Sequence, residues 1–327
     1  MIRRAYGCLI GSAIGDAMGM PASFMSPEKI KRIYGRISDF LTPDEEQVAH
    51  GNLSKGKITD DTGESLIIAA VLNEAGRFDP TLFIEKMKNW AIQEKILEST
   101  IIGPSTRRFL QAVMNGGDVL EAGKIGDTNG GAMRVAPIGI FYHGNVHQAI
   151  IDAIASGMLS HGSRPGLAST AAIAAAIAVA VEGNCQLSEV MSAAIYGAES
   201  GEKEGFDIPS PSVVARIRLA IELVDRNQGK SIDEISYVLY QYIGAGMKSY
   251  ESIPLSLGIF YAVKGNYRDG LLAAINIGDD ADTNGAIVGA LCGAFSGSNG
   301  INPAWIEKLR TANQLDFLTI AHQLIYH

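Results

Sequence analysis

The chain has 327 residues, 47% hydrophobic and 19% charged, with 35 acidic residues against 27 basic ones and a net charge of −8. This apolar content excludes a disordered or fibrous chain. The acidic balance argues against a nucleic-acid binder, whose footprint is basic, and suits a site that holds a cation.

The first expected element is a helix over residues 3–18. Arg3 and Arg4 before the apolar run Cys8–Ile14 imitate a secretory leader, but Asp16 interrupts the run and glycine recurs at Gly7, Gly11, Gly15 and Gly19. We therefore read a core helix and not a targeting signal. Further helices are expected over 26–34, 60–75, 80–95, 104–115, 147–160, 166–182, 187–198, 211–227, 231–242, 253–263, 267–275, 282–296 and 314–325. Start signals stand at Ser26-Pro27 with Glu28, at Asp79-Pro80, and at Ser231 with Glu234. Glycine stops stand at Gly76, Gly116 and Gly183. The run Ala168–Val181 is too short for a membrane span, which needs about 20 apolar residues, and reads as a buried helix.

Loops are expected over 36–58, 116–131, 199–210 and 297–303. No strand–helix alternation appears, so a parallel sheet is not expected. The predicted fold is all-α, a compact multi-helix orthogonal bundle. A domain boundary at the charged 199–210 segment is the alternative to a surface loop. We expect a single domain over 1–327, because the motifs below must meet from both ends of the chain.

A second helix repeats glycine every fourth residue, at Gly285, Gly289, Gly293 and Gly297. That spacing lines one helix face with glycine, where another helix approaches closely. Both glycine runs lie beside acidic motifs.

The first acidic cluster is Thr59-Asp60-Asp61-Thr62; the second is Asp279-Asp280-Ala281-Asp282-Thr283-Asn284. Each opens an expected helix. Adjacent carboxylates repel, so clustering them requires compensation. Helix capping is the plain explanation, since Asp and Thr cap well and a helix N-terminus favours negative charge. One cap needs one such residue, not four or five. The sharper explanation is a hard divalent cation, because oxygen donors with no nearby His or Cys suit Mg²⁺, Mn²⁺ or Ca²⁺ and not zinc. Carboxylates bridging from both clusters would hold two ions roughly 3.5–4 Å apart, as in two-metal hydrolytic sites. The EF-hand loop pattern is absent.

Asp127-Thr128-Asn129-Gly130-Gly131-Ala132-Met133-Arg134 is a glycine-rich loop. Such a loop lets backbone approach a ligand and can cradle phosphate, or is an ordinary turn. It fits neither a P-loop nor a Rossmann fingerprint. His161 lies in Ser160-His161-Gly162, and a lone histidine has a structural reading beside the functional one. No Gly-x-Ser-x-Gly elbow is present. Cys8, Cys185 and Cys292 stand far apart with no Cys-x-x-Cys pair. A disulfide scaffold or zinc cluster is not expected, and a reducing cytoplasm fits.

Taken together, the motifs resemble the ADP-ribosylglycohydrolase family, which includes the dinitrogenase reductase-activating glycohydrolases. The resemblance runs from Gly7 to Gly297. Its motifs are Gly11-x-x-x-Gly15-Asp16-Ala17-Met18-Gly19, Thr59-Asp60-Asp61-Thr62, Asn129 through Pro137, Ser160-His161, Glu251-Ser252-Ile253-Pro254 and Asp280-Ala281-Asp282-Thr283. It implies an all-α fold with a binuclear Mg²⁺ or Mn²⁺ centre on Thr59, Asp60, Asp61, Asp280, Asp282 and Thr283. It implies that Thr128, Asn129, Gly130, Gly131, Met133 and Arg134 line the diphosphate and distal ribose, and that His161 contacts the ligand. The metals of the family bind the ribose hydroxyls beside the anomeric carbon. Asp60 or Asp61 is the expected group to steer or deprotonate the attacking water.

Two positions depart from the family pattern. Ser23 stands where many members carry glutamate, and Ile101 stands where the nitrogenase-reactivating branch carries aspartate. Glu28 or Glu64 is a candidate replacement for the first acid, and Asp279 adds an acid where glycine is common. The leading expectation is a metal-dependent hydrolase that removes ADP-ribose from a protein side chain or small conjugate. The alternatives are a ribosyl hydrolase acting on nucleosides and a non-catalytic paralogue resembling the lens crystallins of the family. No nucleic acid or membrane partner is expected.

Overall fold

The computed structural model describes residues 1–327, and the chain is all-α. Its only extended pairings are three isolated bridges, Met25 with Asp279, Thr128 with Lys248, and Ser163 with Phe206.

The local signals act as their chemistry requires. Ser26 accepts the amide of Lys29 at the start of Pro27–Tyr34, Asp79 accepts that of Leu82 before Pro80–Gln93, and Ser231 and Glu234 form a reciprocal capping box. Gly76 and Gly116 end their helices in the left-handed conformation, which glycine adopts without Cβ strain.

Some expectations need correction. The 116–131 loop contains a short helix, Val119–Gly123, capped by Asp118. Two more short helices follow, Gly130–Met133 and Ala136–Phe141. Pro303–Asn313, unassigned from sequence, is a helix capped by Asn302. The 199–210 segment is not a loop throughout, because its helix runs on as Leu187–Glu204. Tertiary packing explains the extension. Gly201 lies against Leu167, so that a Cβ there would stand 2.3 Å from the Leu167 carbonyl oxygen. The helix Arg164–Glu182 is long and apolar enough to span a membrane by composition, but 89% of that window is buried in the protein.

The glycine stripes do what their spacing implies. Ile2–Gly19 and Ala281–Ser296 pack antiparallel, with Gly7 against Gly293, Gly11 against Gly289 and Gly15 against Gly285. A Cβ on Gly15 would stand 2.0 Å from the carbonyl oxygen of Gly285. Backbone meets backbone there, and no side chain can yield. Gly15→Ala is therefore expected to cost about 3 kcal/mol or more, measured by urea unfolding; an unchanged midpoint would contradict the close approach. A hydrophobic cluster of 82 buried residues runs from Ala5 to Ile325 around this pair. The pairing brings Asp16, near one end of the first helix, beside both acidic clusters.

Candidate active site

Asp16 is fully buried. Its carboxylate accepts the Thr59 amide at 3.0 Å, the Thr62 amide at 3.2 Å and the Thr62 hydroxyl at 2.5 Å. It thus caps Asp60–Ala75 from another helix, and Thr59 Oγ1 adds a weaker cap on the Asp61 amide at 3.4 Å. Capping is satisfied without Asp60 or Asp61. At the second cluster, Asp280 is the N-cap residue but its side chain caps nothing. The plain explanation of the two clusters therefore leaves most of their carboxylates unexplained.

Those carboxylates converge on one cavity of about 150 Å³, whose wall includes Asp60, Asp61, Asp280, Asp282, Thr283 and His50. Asp61 Oδ2 accepts hydroxyls from Thr59 at 3.2 Å and Thr283 at 3.3 Å, while Asp61 Oδ1 is buried with no partner. Asn129 Nδ2 donates to Asp280 Oδ2 at 2.5 Å and to Ser252 Oγ at 3.0 Å. Ser252 donates on to Asn284 Oδ1 at 2.7 Å, and Asn284 Nδ2 to the Ala245 carbonyl at 2.7 Å. This chain of amides and hydroxyls locks the glycine-rich loop to the second cluster.

Asp16, Asp60, Asp61, Asp280 and Asp282 are all buried, and no Lys or Arg lies on the cavity wall. Burial pushes Asp60 and Asp61 well above the usual carboxylate range, with the charge of Glu64 adding most at Asp60 and that of Asp16 at Asp61. Burial raises Asp16 to about 6, and burial with the charge of Asp282 raises Asp280 to about 8. Burial acts on Asp282 in the same sense, but its hydrogen bonds with His50 and Ser23 hold it below the usual range. Hard divalent cations would relieve this uncompensated charge, and hydroxyl plus carboxylate oxygens are the donors they prefer. No three acid or histidine side chains already stand close enough to share one ion.

The raised values carry a pH dependence. In the unfolded chain both Asp16 and Asp280 return to about 4. Above that pH the folded, metal-free chain keeps protons that the unfolded chain has released, so its stability falls as pH rises toward 8. Urea unfolding in chelator at about pH 5 and about pH 8 checks this sign; greater stability at the higher pH would contradict it.

The substrate-loop residues divide. Thr128, Asn129, Gly130, Met133 and His161 line the cavity. A Cβ on Gly130 would stand 2.7 Å from His161 Nε2, so only glycine leaves that wall open. Gly131 packs behind it, against Thr170. Arg134 is not at the wall. It is fully buried, with Nη1 2.7 Å from Glu64 Oε2 and Nη2 donating to Ser160 Oγ at 2.8 Å and to the Ser156 carbonyl at 3.1 Å. Ser160 Oγ lies 2.8 Å from His161 Nδ1, and His161 Nε2 lies 3.1 Å from Thr128 Oγ1. Arg134 thus supports His161 from behind. Burial, reinforced by the charges of Arg134 and Arg108, holds His161 well below its ordinary pKa, so the ring is neutral.

The proposed replacement acids are placed elsewhere. Glu64 is committed to Arg134. Glu28 lines a separate groove of about 760 Å³ beside the Ile232–Ile243 helix. Ser23 Oγ accepts the Asp282 amide at 3.3 Å, and Ile101 with Ile102 gives the cavity an apolar lip. Phe24 and Asp279 both adopt left-handed backbone, with φ of +62° and +54°, which is uncommon outside glycine. They pair the chain ends of the site: the Phe24 amide donates to the Asp279 carbonyl at 2.5 Å and the Asp279 amide to the Met25 carbonyl at 2.8 Å. The left-handed φ gives a physical reason for glycine at the Asp279 position.

Sequence reasoning missed His50, which sits in a polar loop with no motif around it. It also missed the capping role of Asp16, for which the neighbouring glycine stripe was the available signal.

The ADP-ribosylglycohydrolase family description matches residues 1–326. The chain is 33% identical over 316 residues to an uncharacterized protein of Escherichia coli (strain K12), covering 96% of this chain and 94% of that one. It is 28% identical over 335 residues to an ADP-ribosylarginine hydrolase of Serratia proteamaculans (strain 568), covering 99% and 79%. A solved structure described as an ADP-ribosylglycohydrolase-related protein complex shares the fold with a TM-score of 0.72 at 23% identity, over 99% and 97% of the two chains. Matched from end to end in this way, the chain belongs to the ADP-ribosylglycohydrolase family and is a hydrolase of glycosidic bonds.

Proposed function

We propose that the protein is a metal-dependent glycohydrolase that cleaves the bond at the ribose anomeric carbon of an ADP-ribosylated protein side chain or a small ADP-ribose conjugate. One observation carries the reading: four buried carboxylates, Asp60, Asp61, Asp280 and Asp282, line one cavity whose wall holds no Lys or Arg. Thr59, Asp60, Asp61, Asp280, Asp282 and Thr283 would hold two Mg²⁺ or Mn²⁺ ions. When bound, such ions supply Lewis acidity to the ribose hydroxyls and to water.

The side chains supply the rest. Asn129 holds Asp280, and the hydroxyls of Thr59 and Thr283 hold Asp61, so two of the carboxylates are oriented toward the cavity, and binding the ions would draw the cluster together. Asp60 or Asp61 takes a proton from the attacking water. The oxygen of that water bonds to the anomeric carbon as the bond to the acceptor breaks, and the proton taken from the water is returned to the leaving atom of the acceptor. Neutral His161, with both ring nitrogens engaged by Ser160 and Thr128, fixes the Thr128 hydroxyl at the cavity wall and presents a ring face to the sugar. Gly130 and Gly131 donate their amides to no oxygen of the chain, which leaves the amide of Gly130, at the cavity wall, for an anionic ligand. The three free cysteines accord with a cytoplasmic enzyme as part of the same proposal.

A second reading has its own support. A cavity of about 150 Å³ is small beside the roughly 300–1,000 Å³ typical of ligand pockets, and its wall carries no Lys or Arg. Those features favour a small riboside such as a nucleoside. Mass spectrometry separates the two in Mg²⁺ and in Mn²⁺. The panel is ADP-ribosyl-arginine, ADP-ribosyl-serine, O-acetyl-ADP-ribose and ribonucleosides, with Asp282→Ala as control. Metal-dependent release of ADP-ribose, lost in the control, supports the first reading. Release of ribose from nucleosides alone replaces it with the second.

A further inference from the structure

The loop over residues 36–58 has little regular structure, yet it delivers one ring to the carboxylate cluster. His50 is 3% exposed and lines the cavity. Its Nε2 lies 2.9 Å from Asp282 Oδ2. The other oxygen, Oδ1, accepts the Thr283 amide at 3.0 Å. Both oxygens of Asp282 are therefore held, and the plane of its carboxylate is set. Each keeps lone-pair capacity for a further partner.

The loop is fastened in the register that this contact needs. Gln47, itself buried, donates through Nε2 to the carbonyls of Met20 at 3.1 Å, Pro21 at 3.2 Å and Ser23 at 2.9 Å. Its Oε1 accepts the Ala49 amide at 2.8 Å. From the opposite side Thr100 Oγ1 donates to the Ala49 carbonyl at 2.7 Å. The His50 ring lies against Phe24, with centroids 6.5 Å apart and planes inclined by 28°. His50 Nδ1 is buried with no partner. A histidine serving only to fill space would not need its one polar contact to fall on this carboxylate.

We propose that His50 is a positioning residue: its Nε2–H donates to Asp282 Oδ2 and orients that carboxylate for a divalent cation. The assignment rests on reading Asp282 as a cation ligand, and it needs only the donor, whatever the charge of the ring. Groups that orient a ligating side chain typically contribute about 10–100-fold to metal affinity.

The test measures Mn²⁺ alone on the full chain, by isothermal titration calorimetry and by electron paramagnetic resonance. His50→Phe keeps a ring against Phe24 but donates nothing; His50→Gln returns an N–H donor. Expected is a loss of Mn²⁺ affinity of about 10–100-fold in His50→Phe, with most of it recovered in His50→Gln. Wild-type affinity in a folded His50→Phe protein overturns the proposal. If the wild-type chain itself binds no Mn²⁺, the metal reading fails first and takes this inference with it. Should His50→Phe not fold, ¹⁵N spectra of the wild-type imidazole decide. A protonated Nε2 whose resonance moves on Mg²⁺ addition supports the role, and a bare Nε2 with the proton on Nδ1 overturns it.

Discussion

Asp61→Asn is expected to make the metal-free fold more stable while lowering hydrolysis by about 100-fold or more. Asp61 is 2% exposed, and its Oδ1 has no partner. Burial first, then the charges of Asp16, Asp282, Asp60 and Asp280, push its carboxyl well above the usual range. Asparagine keeps the shape and the acceptor for the Thr59 and Thr283 hydroxyls, and it removes one charge from a cluster of repelling acids. The relief of an unpartnered buried charge is about 1–3 kcal/mol, greatest where the wild-type carboxyl has lost its proton. Added Mn²⁺ should invert the order. A ligand at 100 times its dissociation constant stabilises a folded chain by about 2.7 kcal/mol, and Asp61→Asn should show little of that gain. Urea unfolding at about pH 8, with chelator and with Mn²⁺, reads both effects. A variant that is less stable without metal, or that keeps its activity, contradicts this account of the cluster.

The second large effect falls on Arg134, and it is one of stability. Arg134→Met is expected to cost about 3–5 kcal/mol, because it leaves Glu64 buried without its partner. Both side chains of the pair are fully inaccessible, and the guanidinium stacks 4.9 Å from the Phe83 ring centre. Restoring neutrality with Glu64→Gln in the same chain should recover much of the loss, since two well-packed neutral side chains replace an ion pair at little cost. A double-mutant cycle by urea unfolding measures the coupling. If Arg134→Met unfolds like the wild type and instead weakens binding of a diphosphate ligand, then Arg134 belongs at the cavity wall after all.

Arg134 shows where the sequence stops being informative. Its motif, Asn129 through Arg134, puts Asn129, Gly130 and Met133 on the cavity wall, beside Thr128 and His161. Nothing in the motif says that the arginine turns inward, because the residue that draws it in, Glu64, lies 70 positions away. Asp16 is similar. Its place after a glycine-lined face is legible, but its work as a cap for Thr59 and Thr62 depends on a contact 43 residues distant. His50 carries no local signal at all.

What the sequence determined alone was whatever depends on near neighbours. Caps at Ser26, Asp79 and Ser231, stops at Gly76 and Gly116, and the glycine stripes are settled within a few residues, since helix hydrogen bonds and face periodicity reach only one turn. The acidic clusters were equally legible, because carboxylates crowded on adjacent positions demand a reason wherever the chain goes. Tertiary structure alone decided which carboxylates cap and which remain free, that the helix begun at Leu187 continues to Glu204, and that Arg134 lies behind the site. The physical reason is the same each time. A buried charge or a close-packed backbone takes its energy from whichever partner the fold brings to it, and that partner is set by packing across the whole chain.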